Sequence, residues 1–315
     1  MKKVLTENYN VEISDNPDYL FFGCFGFNHL KYDCIKIFYT AEDVSPDFNL
    51  CDYAIAFDDI KFGDRYLRYP LFLQCASYEI ARKKHIVTDE DIESKTGFCN
   101  FVYSNSGANP LRTEFFNKLS EYKKVDSGGK YLNNIGHRVE DKYEFQKNYK
   151  FTIAFENDTV LDYTTEKIMD AFAAKTIPIY FGNSHISNDF NTESFINCHD
   201  YDSFDEIINR VIEIDNNPEL YRSILEQPIF KNGIVPEKFS YAELGNFLKN
   251  IFDPEIENAR RISRYSYRVY YKRNLLDILN VYEKFISLTS NKFVGFFYRI
   301  YKNFLTNKKG VYGTL

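Results

Sequence analysis

The stretch Tyr149 to Gly182, YKFTIAFENDTVLDYTTEKIMDAFAAKTIPIYFG, decides the fold. It opens with a short apolar run, Phe151 to Phe155, followed by a polar loop carrying Asn157, Asp158 and Asp162. Ile168, Ala171 and Phe172 then recur at spacings of three and four, the period of a helix with one buried face. A second apolar run, Ile177 to Phe181, is closed by Gly182. Strand, loop, helix and strand in this order predict a parallel crossover. In such sheets ligands bind beyond the carboxyl ends of the strands, where a helix begins. That position holds Glu156, Asn157, Tyr163, Thr164, Thr165, Glu166 and Lys167. Thr164 or Thr165 can cap the helix. The free N–H groups and partial positive charge of a helix start suit phosphate, and Lys167 adds a full charge. Glu166 can accept hydrogen bonds from ribose hydroxyls. Read without further context, Glu166 and Lys167 are equally compatible with an ordinary charged first turn.

Composition sets the outer limits. The 315 residues suffice for two domains, and 44% hydrophobic with 27% charged residues describes a globular chain. A net charge of −6 argues against a nucleic-acid partner. The six cysteines form no C-x-x-C pair, which predicts reduced thiols and no zinc site, and the five histidines lack metal-ligand spacing. Met1-Lys2-Lys3 is followed by polar residues, so no signal peptide is expected, and no apolar run is long enough to span a bilayer.

Upstream, Tyr19–Phe25, Ile35–Tyr39 and Tyr53–Phe57 read as strands ending in polar residues, while Arg65–Leu73 is broken by Pro70. Glu42 follows the second of these and precedes Ser45-Pro46; Asp43 and Asp59 are acids in comparable places. Residues 74–97 are polar and predict a helix and an interdomain linker. The second half starts near Phe98, with a strand expected over Phe101–Asn105 and a helix over Leu111–Tyr122. Arg112 lies in that helix's first turn, where a cation opposes the dipole and calls for a nearby anion. Ser127-Gly128-Gly129-Lys130 makes a glycine turn, a weak phosphate-loop signal. Phe204–Ile214 and Pro218–Leu225 are amphipathic helices. From about Ile256 the chain turns basic, and Phe293, Phe296, Phe297, Ile300, Tyr301 and Phe304 share a helical face flanked by Lys292, Arg299 and Lys302. Such a helix either lies on an anionic membrane or packs back on the protein or a second copy.

Phe155-Glu156-Asn157 and Asp162-Tyr163-Thr164-Thr165-Glu166-Lys167 resemble the donor-sugar signature of the alpha-1,3/4-fucosyltransferase family, above all its bacterial, Helicobacter-like members. The resemblance runs from about Tyr19 to about Phe230. Tyr39-Thr40-Ala41-Glu42-Asp43 is similar to the bacterial Y-T-G-E-N and vertebrate F-E-S-P strings, with Ala41 and Asp43 departing from the bacterial form. Phe48-Asn49-Leu50-Cys51-Asp52-Tyr53-Ala54-Ile55 anchors that register.

The resemblance implies a GT-B architecture, two facing Rossmann-like domains plus a basic helical C-terminal tail. Residues 1–97 would form the acceptor-binding domain, 98–254 the GDP-fucose-binding domain and 255–315 the tail. It implies inverting transfer of fucose from GDP-fucose, with Glu42 as base and Arg112, Asn157, Tyr163, Glu166, Lys167, Glu156 and Thr165 as donor-binding residues. Glu156 would line the donor pocket or orient the loop, and Asp43 and Asp59 remain competitors for the base. No metal and no further cofactor is implied, and the acceptor is an oligosaccharide containing N-acetylglucosamine, joined through an alpha-1,3 linkage in a surface glycan such as a lipopolysaccharide. The expected place is cytoplasmic, peripheral on the inner face of the membrane. The chain begins close to the second strand of the family pattern and has no Trp, so the first strand of the N-terminal domain is expected to be missing. A GT-B transferase of another nucleotide sugar and a non-catalytic, membrane-attached nucleotide-sugar-binding protein are the alternative readings.

Overall fold

The computed structural model describes residues 2–83, 86–263, 265 and 267–290. After a leading helix α1 (Lys2–Asn8), four strands form a parallel sheet: β1 (Tyr19–Phe22), β2 (Ile35–Tyr39), β3 (Tyr53–Ala56) and β4 (Tyr66–Arg68), in the order β1-β2-β3-β4. The central strands read IKIFY and YAIA, nearly continuous apolar runs, because both of their faces are covered. Helices α2 (Ala76–Ala81) and α3 (Asp89–Glu93) lead to the second half.

A second parallel sheet holds β5 (Gly97–Phe101), β6 (Val125–Ser127), β7 (Tyr149–Phe155), β8 (Ile177–Phe181) and β9 (Ile196–Asn197), in the order β6-β5-β7-β8-β9. Between and after them run α4 (Leu111–Tyr122), α5 (Lys142–Gln146), α6 (Glu166–Ala173), α7 (Phe204–Asn216) and α8 (Pro218–Leu225). The strand expected at Phe101–Asn105 lies earlier, at Gly97–Phe101. The reason is packing: Cys99 pairs with both Val125 and Phe151, and a Cβ on Gly97 would sit 2.4 Å from the Tyr149 ring. A glycine is therefore built into the strand start.

The chain then returns to the first sheet. Helix α9 (Tyr241–Phe252) buries Leu244, Phe247, Leu248 and Ile251, with Phe247 edge-on to Tyr53 at 6.2 Å and Phe252 against Tyr19 at 4.7 Å. After α10 (Ile256–Ala259), the backbone N–H groups of Arg261 and Ile262 both donate to Asp52 Oδ1 at 2.9 Å. Helix α11 (Tyr267–Ser290) is held by Arg268 Nε on Asn49 O at 2.8 Å and Lys31 on Glu283 at 2.7 Å, and leaves Ile278, Val281, Tyr282 and Leu288 exposed. The aromatic face expected between Phe293 and Phe304 lies outside the described residues.

One apolar cluster joins the two sheets. It includes Ile37 and Tyr53 from the first, Met169 and Phe172 from α6, and Phe190 and Phe230 from the segments after β8 and α8. A separate cluster fills the space between the second sheet and α4, α7 and α8. The sheets thus form an α/β pair of parallel layers meeting at a seam, a GT-B-like two-domain architecture. All six cysteines are unpaired thiols.

Candidate functional site

The loop between β7 and α6 is organised by Glu156, the first residue after the strand. Its carboxylate is buried, with Oε1 accepting from Thr165 N–H at 2.8 Å and Oε2 accepting from the Thr165 hydroxyl at 2.6 Å and from Lys167 Nζ at 2.9 Å. Thr165 does occupy the N-cap position of α6, but its hydroxyl donates to Glu156 and accepts no helix N–H. Thr164, the other candidate cap, is buried and accepts from Asn183 Nδ2 at 3.1 Å instead. Glu156 therefore supplies an anion to the helix start from within the protein, where the dipole favours one. Of the two expected roles, orienting the loop is the one its contacts describe.

Lys167 is paired rather than free. Burial alone would depress its ammonium, but Glu156 and then Glu166 outweigh that and hold its pKa above the usual lysine range. Glu166 is more open and lies 3.7 Å from Lys167. Burial raises its carboxyl, Lys167 and Lys142 lower it further, and the net result is below the ordinary glutamate range. It is ionised at neutral pH and able to accept hydroxyl hydrogen bonds.

Arg112, in the first turn of α4, points inward to the end of β7. Nη2 donates to Glu156 O at 2.8 Å and Asn157 Oδ1 at 2.9 Å, and the guanidinium lies over the Tyr103 ring at 4.1 Å. Only 2% of the residue is exposed, yet Nε and Nη1 have no partner. Two buried donors without acceptors cost about 1–3 kcal/mol each unless something satisfies them. A planar fork with free N–H groups matches phosphate oxygens. Asn157 is thus joined to Arg112, and its backbone O accepts from Asn109 N–H at 2.9 Å. Arg112, Glu156, Asn157, Thr165, Glu166 and Lys167 form one connected group.

Tyr163 faces the other way, across the seam. It is buried, its ring packs edge-on to Phe57 at 5.1 Å, and its hydroxyl donates to Ala41 O at 3.3 Å. Burial pushes its phenol well above the usual tyrosine range, with Glu156 adding to the effect and Lys167 opposing it. Glu42, next to Ala41, is exposed on the bend after β2, where its N–H donates to Thr40 Oγ1 at 3.0 Å. Asp43 is exposed beside it, and Asp59 N–H donates to Asp162 Oδ2 at 3.1 Å. The loops at the carboxyl ends of both sheets therefore meet.

Sequence reading missed Tyr103, Asn183 and the Arg68–Asp189 pair. Tyr103 lies beneath Arg112 and accepts from Phe155 N–H at 2.8 Å; it had read only as a strand residue. Asn183 is fully buried after Gly182, and an amide just past a strand end was the available signal. Arg68 and Asp189 form a bidentate pair across the seam at 2.9 and 2.7 Å, joined by Lys238 at 2.9 Å. The glycine turn proves to be a packing device: a Cβ on Gly129 would lie 2.0 Å from Tyr103 O. No cluster of three His, Cys, Asp or Glu side chains able to hold a metal occurs among the described residues, and no helix there is long and apolar enough to cross a membrane.

Two parallel sheets that meet at their carboxyl ends, one carrying an arginine fork and a charged helix start, define a GT-B-like architecture with an anion-suited group of residues at the seam. The family follows from similarity along the chain. Residues 1–75 match the alpha-(1,3)-fucosyltransferase FucT N-terminal domain, residues 92–226 match the glycosyltransferase family 10 (fucosyltransferase) C-terminal domain, and the chain belongs to this fucosyltransferase family. A crystal structure of an alpha1,3-fucosyltransferase with GDP is 31% identical and superposes with a TM-score of 0.71 over 82% of this chain and 86% of that one. Another, with GDP-fucose, is 32% identical with a TM-score of 0.66 over 76% and 78%. The alpha-(1,3)-fucosyltransferase FucT of Helicobacter pylori is 36% identical over 265 residues, which is 72% of this chain and 55% of that protein. The human 4-galactosyl-N-acetylglucosaminide 3-alpha-L-fucosyltransferase 9 is 32% identical over 137 residues, 42% of this chain and 37% of that protein. The chain thus spans about half, or less, of the length of these curated relatives.

Proposed function

We propose that the chain transfers L-fucose from GDP-fucose to a hydroxyl of N-acetylglucosamine, forming an alpha-1,3 linkage in a surface glycan by single inverting displacement. The observation that carries this reading is the bridge from Tyr163 to Ala41, because it joins the donor motif to the loop bearing Glu42. Glu42 takes the proton of the acceptor hydroxyl as that oxygen attacks the anomeric carbon. The bond from that carbon to the diphosphate oxygen breaks, and GDP leaves with the electron pair. Arg112 meets the growing charge with Nε and Nη1, its two nitrogens left without a partner. Charge-assisted hydrogen bonds contribute about 1.5–3 kcal/mol each, and more to rate when they strengthen in the transition state. Glu166 holds the ribose, Asn157 and Tyr163 line the donor pocket, and Lys167 adds positive charge while Glu156 and Thr165 keep its helix start in place.

The exposed apolar residues of α11, continued by the basic aromatic stretch after it, support a peripheral site on the inner, anionic face of the cytoplasmic membrane. The test of function is transfer from GDP-fucose to N-acetyllactosamine, with lactose in parallel. Glu42→Ala should abolish transfer while leaving GDP affinity intact. Transfer by that variant at the parent rate would remove Glu42 as the base, and absence of GDP-fucose binding by the parent would remove the donor assignment. For the tail, deletion after residue 255 should release the protein from anionic vesicles of phosphatidylglycerol; retention would refute the membrane role.

A further inference from the structure

We infer that Asn183 is a positioning residue that sets the distance between the donor site and the loop bearing Glu42. This deepens the transfer reading above and rests on it. Asn183 is fully buried, and every polar atom of its side chain is used. Oδ1 accepts from Asp162 N–H at 2.8 Å and from His185 N–H at 2.9 Å, while Nδ2 donates to the Thr164 hydroxyl at 3.1 Å. Its own N–H donates to the Tyr180 hydroxyl at 3.1 Å. The residue therefore clamps the end of β8 to both sides of Tyr163.

What it clamps is strained and reaches the other sheet. Asp162 has φ 62, the left-handed region that a residue other than glycine occupies at a cost. Its N–H bond to Asn183 is a local contact that holds this conformation. From it, Oδ2 accepts Asp59 N–H at 3.1 Å and Oδ1 lies 3.2 Å from His185 Nδ1. One residue on, the Tyr163 hydroxyl reaches Ala41 O at 3.3 Å. The two contacts that this loop makes across the seam, to Ala41 and to Asp59, leave from Tyr163 and Asp162, in the segment that Asn183 holds at Asp162 and Thr164. Arg112 is held separately, by Glu156 O and Asn157 Oδ1, and Lys167 by Glu156 and Thr165. Loss of Asn183 thus loosens the reach to Glu42 without removing a group from the diphosphate site.

The consequence is a particular kinetic signature. A shift of about 1 Å between reacting groups costs on the order of 100-fold in rate. Asn183→Ala should lower kcat for transfer by about 10- to 100-fold, with GDP affinity within about threefold of the parent. Hydrolysis of GDP-fucose, in which water needs no positioned acceptor, should fall less, so more donor is hydrolysed per transfer. Asp162→Gly removes the carboxylate that holds Asp59 N–H, at a φ that glycine adopts freely, and should give the same signature at smaller size. The double variant should be little worse than Asn183→Ala, because the two act through one contact chain. If Asn183→Ala does not fold, Asp162→Gly carries the test.

A reading independent of activity is hydrogen exchange at Asp59, whose N–H is held by Asp162 across the seam. Asn183→Ala should speed exchange there by about tenfold or more, which the positioning role requires even if no acceptor is accepted. Unchanged protection at Asp59, or transfer and hydrolysis falling together in step with GDP affinity, would overturn the inference. A parent that binds GDP-fucose but transfers to no acceptor would overturn the transfer reading, while Asp59 exchange would still decide the positioning of the seam.

Discussion

Replacing Glu156 by Ala tests whether the protein's own carboxylate holds the α6 start. The substitution removes the acceptor of three bonds: from Thr165 N–H at 2.8 Å, the Thr165 hydroxyl at 2.6 Å and Lys167 Nζ at 2.9 Å. The Lys167 side chain, 11% exposed, keeps its charge. Breaking one half of a buried ion pair costs about 3–5 kcal/mol, and partial access of water to Lys167 places the expected loss near 3 kcal/mol. That corresponds to a fall of roughly 6–12 °C in the thermal midpoint. The assay is thermal unfolding by circular dichroism, with GDP titration by calorimetry alongside. The second arm is Glu156→Ala combined with Lys167→Met, which leaves no stranded charge. It should recover about 1–2 kcal/mol relative to the single variant, because the penalty arises from a buried ammonium left with only the more distant Glu166, 3.7 Å away. A midpoint for Glu156→Ala within about 2 °C of the parent would refute the reasoning. So would a double variant less stable than Glu156→Ala alone.

Three further outcomes follow from particular contacts. Gly129→Ala would place a Cβ 2.0 Å from Tyr103 O, a clash with backbone that cannot be relieved by a side-chain turn, and should cost about 3 kcal/mol or prevent soluble expression; a parent-like urea midpoint would refute this. Arg112→Met should weaken GDP at least tenfold, measured by calorimetry, since it removes Nε and Nη1, the two buried nitrogens without a partner; undiminished GDP affinity would make Arg112 purely a strand-end brace. His29 is buried against Phe22, and burial, then Lys36 and Lys272, hold its pKa down at about 4 from the ordinary 6.5. Between those values the unfolded chain binds the extra proton, so stability falls as pH drops from 6.5 towards 4. The loss should reach about 2 kcal/mol by pH 5 and be absent in His29→Leu; equal pH 7 to pH 5 differences in urea midpoint for the two proteins would contradict it.

The helical period of Ile168, Ala171 and Phe172 and the flanking apolar runs identify β7, α6 and β8 from local sequence, because a parallel sheet covered on both faces leaves an unmistakable pattern. Leu111–Tyr122 and Pro218–Leu225 were legible for the same reason. The start of β5 was not, since Gly97 owes its place to the Tyr149 ring, a neighbour 52 residues away in sequence, as Tyr103 does to the strand end at Phe155.

The sequence by itself determined the parallel crossover of β7, α6 and β8, the cluster of charged and polar groups at the start of α6, and the family. These depend on periodicity and on residues close together along the chain. Only the tertiary structure decided how the charges are spent. Lys167 is paired with Glu156, Arg112 is turned inward with two donor nitrogens left over, and Tyr163 reaches across to Ala41. A side chain's partner depends on which elements the shared core brings together, and a buried charge takes the partner nearest in space whatever their separation along the chain.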